Sequence, residues 1–505
     1  MHFGPSHPRG RGTSRGILEV KTLAQPHDRR ALVAIDLGAE SCRVSLLRWE
    51  GDSPRIEMLH RIANGPVQVG PHLRWPLDRI LSGIEEGLRK AAAQAPEGIR
   101  SIAVDGWAVD LVRLGEGGKP IHPPYCYRDE RNLTAKAAAD AIVSPEEFFT
   151  QSGAQPLSIN TVYQLFADNQ AGVDPATPWL LLPEYVLHWL GGRRIAEYTN
   201  ATHTGLVDIN TGNWSRPLFE RLGLCMDAAP AIVPAGTVLG KLSGELAQLP
   251  AFADTALIAP ACHDTASAIA AISYDLAETA YIVSGTWSLV GTVVDRPVYS
   301  DDACRAGFTN QGAAAGGYCF HSNVNGMWLL KQCLDHWNGQ GRWIDLPTLI
   351  SQASEVVKIP GLINVDAPPL LLAGEMPVRI NRELELLGLT PIQDSPGNEP
   401  VFARVIFASL ASKYATVLRN LEALTGRKFQ RITTLGGGSR NALLNRLTEE
   451  STGLPVFPGE VEGSTLGNFA VQLASQFCSE SGEPLSAPEI RAWAAQLSSN
   501  SLRAG

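Results

Sequence analysis

Ala31-Leu-Val-Ala-Ile-Asp36 leads into Leu37-Gly-Ala-Glu-Ser-Cys-Arg43, and Arg43-Val-Ser-Leu-Leu-Arg48 resumes the apolar pattern at once. An apolar run with a β-branched centre, a glycine turn and a second run read as two strands. Ile56-Glu-Met-Leu-His-Arg-Ile62 alternates as a third strand. Ile80, Leu81, Ile84 and Leu88 recur at three- and four-residue spacing, the stripe of an amphipathic helix. Ser101-Ile-Ala-Val-Asp105 is another buried-type strand. The order of three strands, a helix and a strand predicts a mixed sheet covered by helices, an α/β fold.

The pattern then starts again. Ala256-Leu-Ile-Ala-Pro-Ala-Cys262 and Ala280-Tyr-Ile-Val283 read as strands, and after Ser284-Gly-Thr286 comes Trp287-Ser-Leu-Val-Gly-Thr-Val-Val294. Two halves on one plan are expected, each with a strand, a hydroxyl-bearing turn and a strand. A long helix is predicted from Phe402 to Leu424. Ile432-Thr-Thr-Leu435 then enters Gly436-Gly-Gly-Ser439, and a helix follows over Asn441 to Thr452 that Gly453 can cap. The second strand set puts the domain boundary near 255–260, giving domains over 31–257 and 258–490 and a tail over 491–505. Residues 1–30 lack the apolar core of a secretory signal and read as a disordered tail.

The 505 residues are too many for one ordinary domain, and 44% hydrophobic with 18% charged residues is globular composition. A net charge of −9 argues against nucleic acid or an anionic membrane as partner. Apolar runs such as Trp179 to Leu182 fall far short of the roughly 20 residues of a spanning helix. Cys42, Cys126, Cys225, Cys262, Cys304, Cys319, Cys333 and Cys478 form no Cys-x-x-Cys pair, so they read as buried thiols in a reducing cytoplasm.

Five clusters are candidates for chemistry. Asp36 at a strand end, with the turn Ala39, Glu40, Ser41, Cys42 and Arg43, offers N–H groups and a cation to phosphate oxygens, and Asp36 can hold Mg²⁺ through water. A plain hairpin accounts for the same residues. Ser284-Gly-Thr-Trp-Ser288 is a second such turn, again open to a structural reading. Gly436-Gly-Gly-Ser-Arg-Asn441 lets a ligand approach the backbone at a helix start, but lacks the Gly-Lys-Ser/Thr of the Walker loop. His263-Asp264-Thr265 follows a buried strand, where Asp264 serves either as a base for a substrate hydroxyl or as a helix cap. Asp105-Gly-Trp-Ala-Val-Asp110 with Arg128-Asp-Glu-Arg131 suits a sugar, or is core tryptophan beside surface charge. His321 and His336 have no ligand-like spacing and read as structural.

Taken in order, these pieces resemble the FGGY carbohydrate kinases over about 31 to 475. The resemblance rests on Val33-Ala-Ile-Asp-Leu-Gly-Ala-Glu-Ser41, Pro124-Tyr-Cys-Tyr-Arg-Asp-Glu-Arg131, Glu197-Tyr-Thr-Asn-Ala-Thr-His-Thr-Gly-Leu206, Cys262-His-Asp-Thr-Ala-Ser-Ala268, Val283-Ser-Gly-Thr-Trp-Ser-Leu289 and Gly436-Gly-Gly-Ser-Arg-Asn-Ala-Leu-Leu-Asn445. It implies two ribonuclease-H-like domains of the actin and sugar-kinase type around a catalytic cleft. It also implies transfer of the ATP γ-phosphate to the 1-hydroxyl of L-rhamnulose, with Mg²⁺; a cytoplasmic monomer or small homo-oligomer is expected. By position, Asp264 matches the family's base, and Ala108, His263, Thr265 and Asn323 its sugar contacts. Ala39 to Arg43, Thr286, Lys331 and Gly437 match its ATP contacts, and Asp36 would help hold the metal.

Three positions depart from the family pattern. Cys42 stands where glycine usually precedes the arginine, Ala108 where glycine follows the tryptophan, and Lys331 where glutamine is common. Ala108 keeps open a kinase acting on L-fuculose, xylulose or a related polyol. A rival of another class is a non-catalytic, actin-like nucleotide-binding protein, which needs neither the sugar-side cluster nor the base.

Overall fold

The structure, a computed structural model, describes residues 28–481 and 485–501. Of the expected tail over residues 1–30, residues 1–27 lie outside the described residues, as do 502–505, while Asp28 and Arg30 are described and form an ion pair. Strands β1 (Ala31–Leu37), β2 (Ser41–Glu50) and β3 (Ser53–Ala63) form an antiparallel meander. Strand β4 (Ile99–Gly106) lies parallel to β1, and β5 (Ala256–Ala259) lies parallel to β4. The second sheet repeats this order with β6 (Thr279–Ser284), β7 (Trp287–Val294), β8 (Tyr318–Asn325), β9 (Arg431–Leu435) and β10 (Val456–Pro458). Each sheet gains one antiparallel edge strand, Thr237–Lys241 beside β5 and Phe308–Gly312 beside β8. The two halves do share one plan.

Six helices position the site: α1 (Leu77–Gln94), α2 (Asp264–Ala270), α3 (Glu399–Thr425), α4 (Ala442–Thr452), α5 (Gly463–Ser481) and α6 (Ala487–Ser501). Alternate residues of β1 point to opposite faces, and both faces are covered. Val33 and Ile35 meet Ile80, Ile84 and Leu88 of α1, while Leu32 and Ala34 meet Leu466, Phe469 and Ala470 of α5. In the second sheet, Ala280 and Ile282 pack on α3, and Tyr281 packs toward Ala268 and Ile269 of α2. Helix α3 is long and apolar enough to cross a membrane by length and composition, yet 67% of that window is buried as the core of the second domain.

Two boundaries expected from sequence are corrected. The strand Ala256–Ala259 belongs wholly to the first sheet, because its residues pair with Ser101 to Ala103, so no boundary falls between 257 and 258. Residues 491–501 are no tail. They continue α6, whose Ile490, Trp493, Ala494 and Leu497 recur at helical spacing and bury a stripe against the first sheet's inner face.

Helices α5 and α2 thus lie between the sheets, one on each inner face, and cross at a close point. A Cβ on Gly467 would stand 1.7 Å from the Ser267 carbonyl oxygen, so only glycine permits this approach. Along α5, Ser464, Asn468, Gln472 and Gln476 recur every four residues and bond to Asp36, Asp105, the Val33 carbonyl and Ser101 of the first sheet.

Candidate active site

The chain leaves β5 and passes beside the end of β4, where the Gly106 N–H donates to the Cys262 carbonyl at 2.9 Å. This pairing brings His263 and Asp264 next to the loop Trp107–Asp110. Two buried carboxyl groups brace the segment from behind. Glu197 accepts from the Cys262 N–H at 2.8 Å, and Glu184 accepts from the Glu197 N–H at 3.1 Å and the Asn200 amide at 2.9 Å. Burial, with Glu197 nearby, pushes Glu184 up to about 8. Asp264 opens α2, accepts from the Thr265 hydroxyl at 3.2 Å and lies 3.4 Å from His263 Nε2. Burial raises its pKa, while 32% of its side chain stays open.

That opening is a cavity of about 780 Å³ whose walls include Ala108, His263, Asp264, Thr265, Thr286 and Asn323. The structure therefore brings together the sugar-side residues expected from sequence. The loop holding Ala108 is tightly fixed. Trp75 and Trp107 both donate their indole N–H to Asp110, and Gln164 donates to its other oxygen at 3.0 Å. Burial pushes Asp110 up to about 6. Val109 holds φ at +71°, strained for a β-branched residue, and its carbonyl accepts from Thr161 and Gln164. Of the charged run 128–131, only Arg128 reaches the cavity. Asp129 accepts from the Leu73 N–H and Arg131 pairs with Asp168, so both are structural.

A second cavity of about 760 Å³ lies on the other side of the turn between β6 and β7, lined by Gly285, Gly437, Gly438, Arg440 and Arg446 among others. Gly285 faces this cavity and Thr286 the first. The turn is clamped from the end of β8. Met327 N–H donates to the Gly285 carbonyl at 2.9 Å, and Gly326 and Trp328 N–H groups donate to the Thr286 carbonyl. The glycine loop 436–438 packs behind it so closely that a Cβ at Gly438 would stand 2.0 Å from Ser284 Oγ.

The first of the two turns expected to bind phosphate is placed differently. Ala39 to Arg43 line neither cavity. Cys42 sits opposite Leu37 in the β1–β2 ladder and buries its side chain in the core, so its Cβ does not crowd the turn. Arg43 bonds Asp36 at 3.2 Å and pairs with Glu462, while Ser464 donates to Asp36 at 2.6 Å. Burial pushes Asp36 up to about 6, against the pull of Arg43. Asp105, grouped by sequence with the sugar-side tryptophan, instead stands in register beside Asp36. Its Oδ2 accepts from Asn468 at 2.6 Å and its Oδ1 is buried without a partner.

Lys331 is not brought to the site. Its ammonium pairs with Asp335 at 2.9 Å on the surface, because the two fall four residues apart on one helix. His321 is structural as expected, buried and bonded to the Tyr281 hydroxyl at 2.9 Å. Sequence reasoning missed His203, which lines the first cavity with its ring 3.8 Å from that of His263. It falls inside the family-like run Glu197 to Leu206, but no ligand-like spacing singles it out within that run.

Two like domains, with one turn shared between a sugar-sized cavity and a glycine-walled one, have the layout of an enzyme that passes a phosphoryl group between two ligands. The FGGY family of carbohydrate kinases matches by its N-terminal domain over residues 31–271 and by its C-terminal domain over 280–475. The chain belongs to this family and is an ATP-dependent carbohydrate kinase. Within it the chain is rhamnulokinase-like. It is 33% identical over 442 residues to the rhamnulokinase of Bacteroides thetaiotaomicron, covering 87% of this chain and 89% of that protein. In fold it is similar to the gluconate kinase of Lactobacillus acidophilus, with TM-score 0.73 and 16% identity over 93% of this chain and 96% of that one. The glycerol kinase of Plasmodium falciparum with ADP gives TM-score 0.68 and 15% identity over 94% and 92%. Family membership removes the non-catalytic rival.

Proposed function

We propose that the enzyme phosphorylates the 1-hydroxyl of L-rhamnulose, giving L-rhamnulose 1-phosphate, with Asp264 as general base. The observation that carries the assignment is the place of Asp264, at the start of α2 and open to the cavity that Thr286 shares with the sugar-side residues. There the carboxylate takes the proton as the hydroxyl oxygen attacks the γ-phosphorus of ATP, and the bond from that phosphorus to the bridging oxygen breaks to release ADP. Ala108, His263, Thr265 and Asn323 hold the ketose. The Thr286 turn and the Gly437 loop hold the nucleotide, with Arg43 supplying positive charge from the first turn. Mg²⁺ fits behind this site: Asp105 Oδ1 is buried without a partner, next to Asp36. Among the described residues no three His, Cys, Asp or Glu side chains form a direct cage, so Asp36 and Asp105 would hold the ion through water. When bound, it supplies charge against the phosphate oxygens.

Asp264→Asn is expected to lower kcat about 10²–10⁴-fold with nucleotide binding retained. In the wild type, kcat falls on the acid side at a higher pH than an ordinary aspartate gives, since burial raises this carboxyl and only its ionised form accepts the proton. A coupled ADP-release assay measures both, and near-normal turnover in the variant would remove Asp264 from the role. The reading that the preferred sugar is L-fuculose, xylulose or a related polyol rests on the Ala108 methyl on the cavity wall. We also place the enzyme in the cytoplasm, a reading supported by buried cysteines without disulfides such as Cys42, Cys126, Cys262, Cys319 and Cys333, and read it as a monomer or small homo-oligomer.

A further inference from the structure

His203 is more than nine-tenths buried, at 7% exposure, yet its Nε2 has no hydrogen-bond partner. Its other ring nitrogen is engaged. The Gln311 amide nitrogen lies 3.1 Å from Nδ1, so an amide N–H donates there and the ring proton sits on Nε2. The amide oxygen of Gln311 is likewise buried and unpartnered. Both residues line the cavity that holds Asp264, and the two come from different halves of the chain. Burial, with His263 close by, pushes the His203 pKa down, so the ring stays neutral and keeps its single donor.

The geometry points to His203 and Gln311 as a hydroxyl-reading pair of the sugar pocket. The Nε2–H donates to one hydroxyl of the substrate, and the Gln311 carbonyl oxygen accepts from a hydroxyl. The substrate class is a ketose or polyol that carries further hydroxyls besides the reacting one, since His203 and Asp264 line the same cavity, each in contact with His263. A buried donor and acceptor left empty penalise any sugar that lacks the matching hydroxyl. The pair thereby sets specificity rather than rate. This inference rests on the proposed ketose kinase activity and names a contact within it.

The test is a cycle between protein and substrate. The wild type and His203→Ala are assayed with the preferred ketose and with monodeoxy analogues, each lacking one hydroxyl beyond the first carbon. In the wild type each missing hydroxyl that is read costs about 10–100-fold in kcat/KM. In His203→Ala, one analogue is expected to lose no more than about threefold, while the others keep their penalties. His203→Gln, which retains an N–H donor, is expected to restore part of the discrimination. Gln311→Leu gives the same cycle from the other partner, should His203→Ala fail to fold. Equal factors for every analogue in both enzymes would show a merely structural histidine and overturn the pair. A wild type that turns over no ketose would instead overturn the proposed function, and the pair with it.

Discussion

At the residue scale, the site is built from positions where a single atom decides what fits. Gly437 and Gly438 are neighbours with opposite demands. A Cβ at Gly438 would collide with Ser284 Oγ, whereas at Gly437 nothing lies within 4 Å. Gly438→Ala is expected to lower Tm by several degrees, from an overpacking cost of about 1–3 kcal/mol. Gly437→Ala leaves the Tm of the nucleotide-free enzyme unchanged. Thermal melts of both variants check the pair. The same scale shows what sequence can and cannot carry. The position of Asp264 was legible because a strand end followed by a helix start is local information. His203 lies in a family-like run but was not singled out, since its partners His263 and Gln311 stand far along the chain. Lys331 matched the family by position, but one carboxylate a turn away, Asp335, decided its direction.

At the element scale, each sheet face and helix end reports how the segment carrying Asp264 is held. The brace behind Cys262 and Asp264 contains Glu184, pushed up to about 8 by burial. A carboxyl raised in this way contributes stability that is complete below its unfolded pKa and is lost as pH rises through the folded value. The enzyme is therefore expected to melt several degrees lower at pH 8.5 than at pH 6, by scanning fluorimetry without ligands. Glu184→Gln flattens that slope while preserving the brace, because the buried Asn200 Oδ1, now unpartnered, can accept from the new amide. Both paired strands of each hairpin were readable from apolar runs and glycine turns. The end of the first sheet was not. The strand Ala256–Ala259 looks like the opening of a second unit in one dimension, and only its pairing with β4 assigns it to the first.

At the scale of the whole molecule, the halves are joined less by a linker than by exchange: helices from the end of the chain complete the sheet from its beginning. Removing the chain after Ser486 uncovers the surface under Ile490, Trp493 and Leu497, all nearly inaccessible in the fold. Each lost side chain costs about 2–5 kcal/mol, together comparable with the whole stability of a typical domain. Such a truncation is expected to speed amide exchange in β1 to β3 while the second sheet keeps its protection, as mass spectrometry would show. Composition gave no hint of this closure, because a tail and a docking helix share the same alanine- and serine-rich content. The arrangement also has a consequence for synthesis on the ribosome. Asp36 and Ser464 bond across 428 residues, so at about 5–20 residues per second the first sheet waits roughly 20–90 s for its inner cover. During that interval Leu32, Ala34 and Leu47 stand open to nascent-chain chaperones, and the domain translated first is the one finished last.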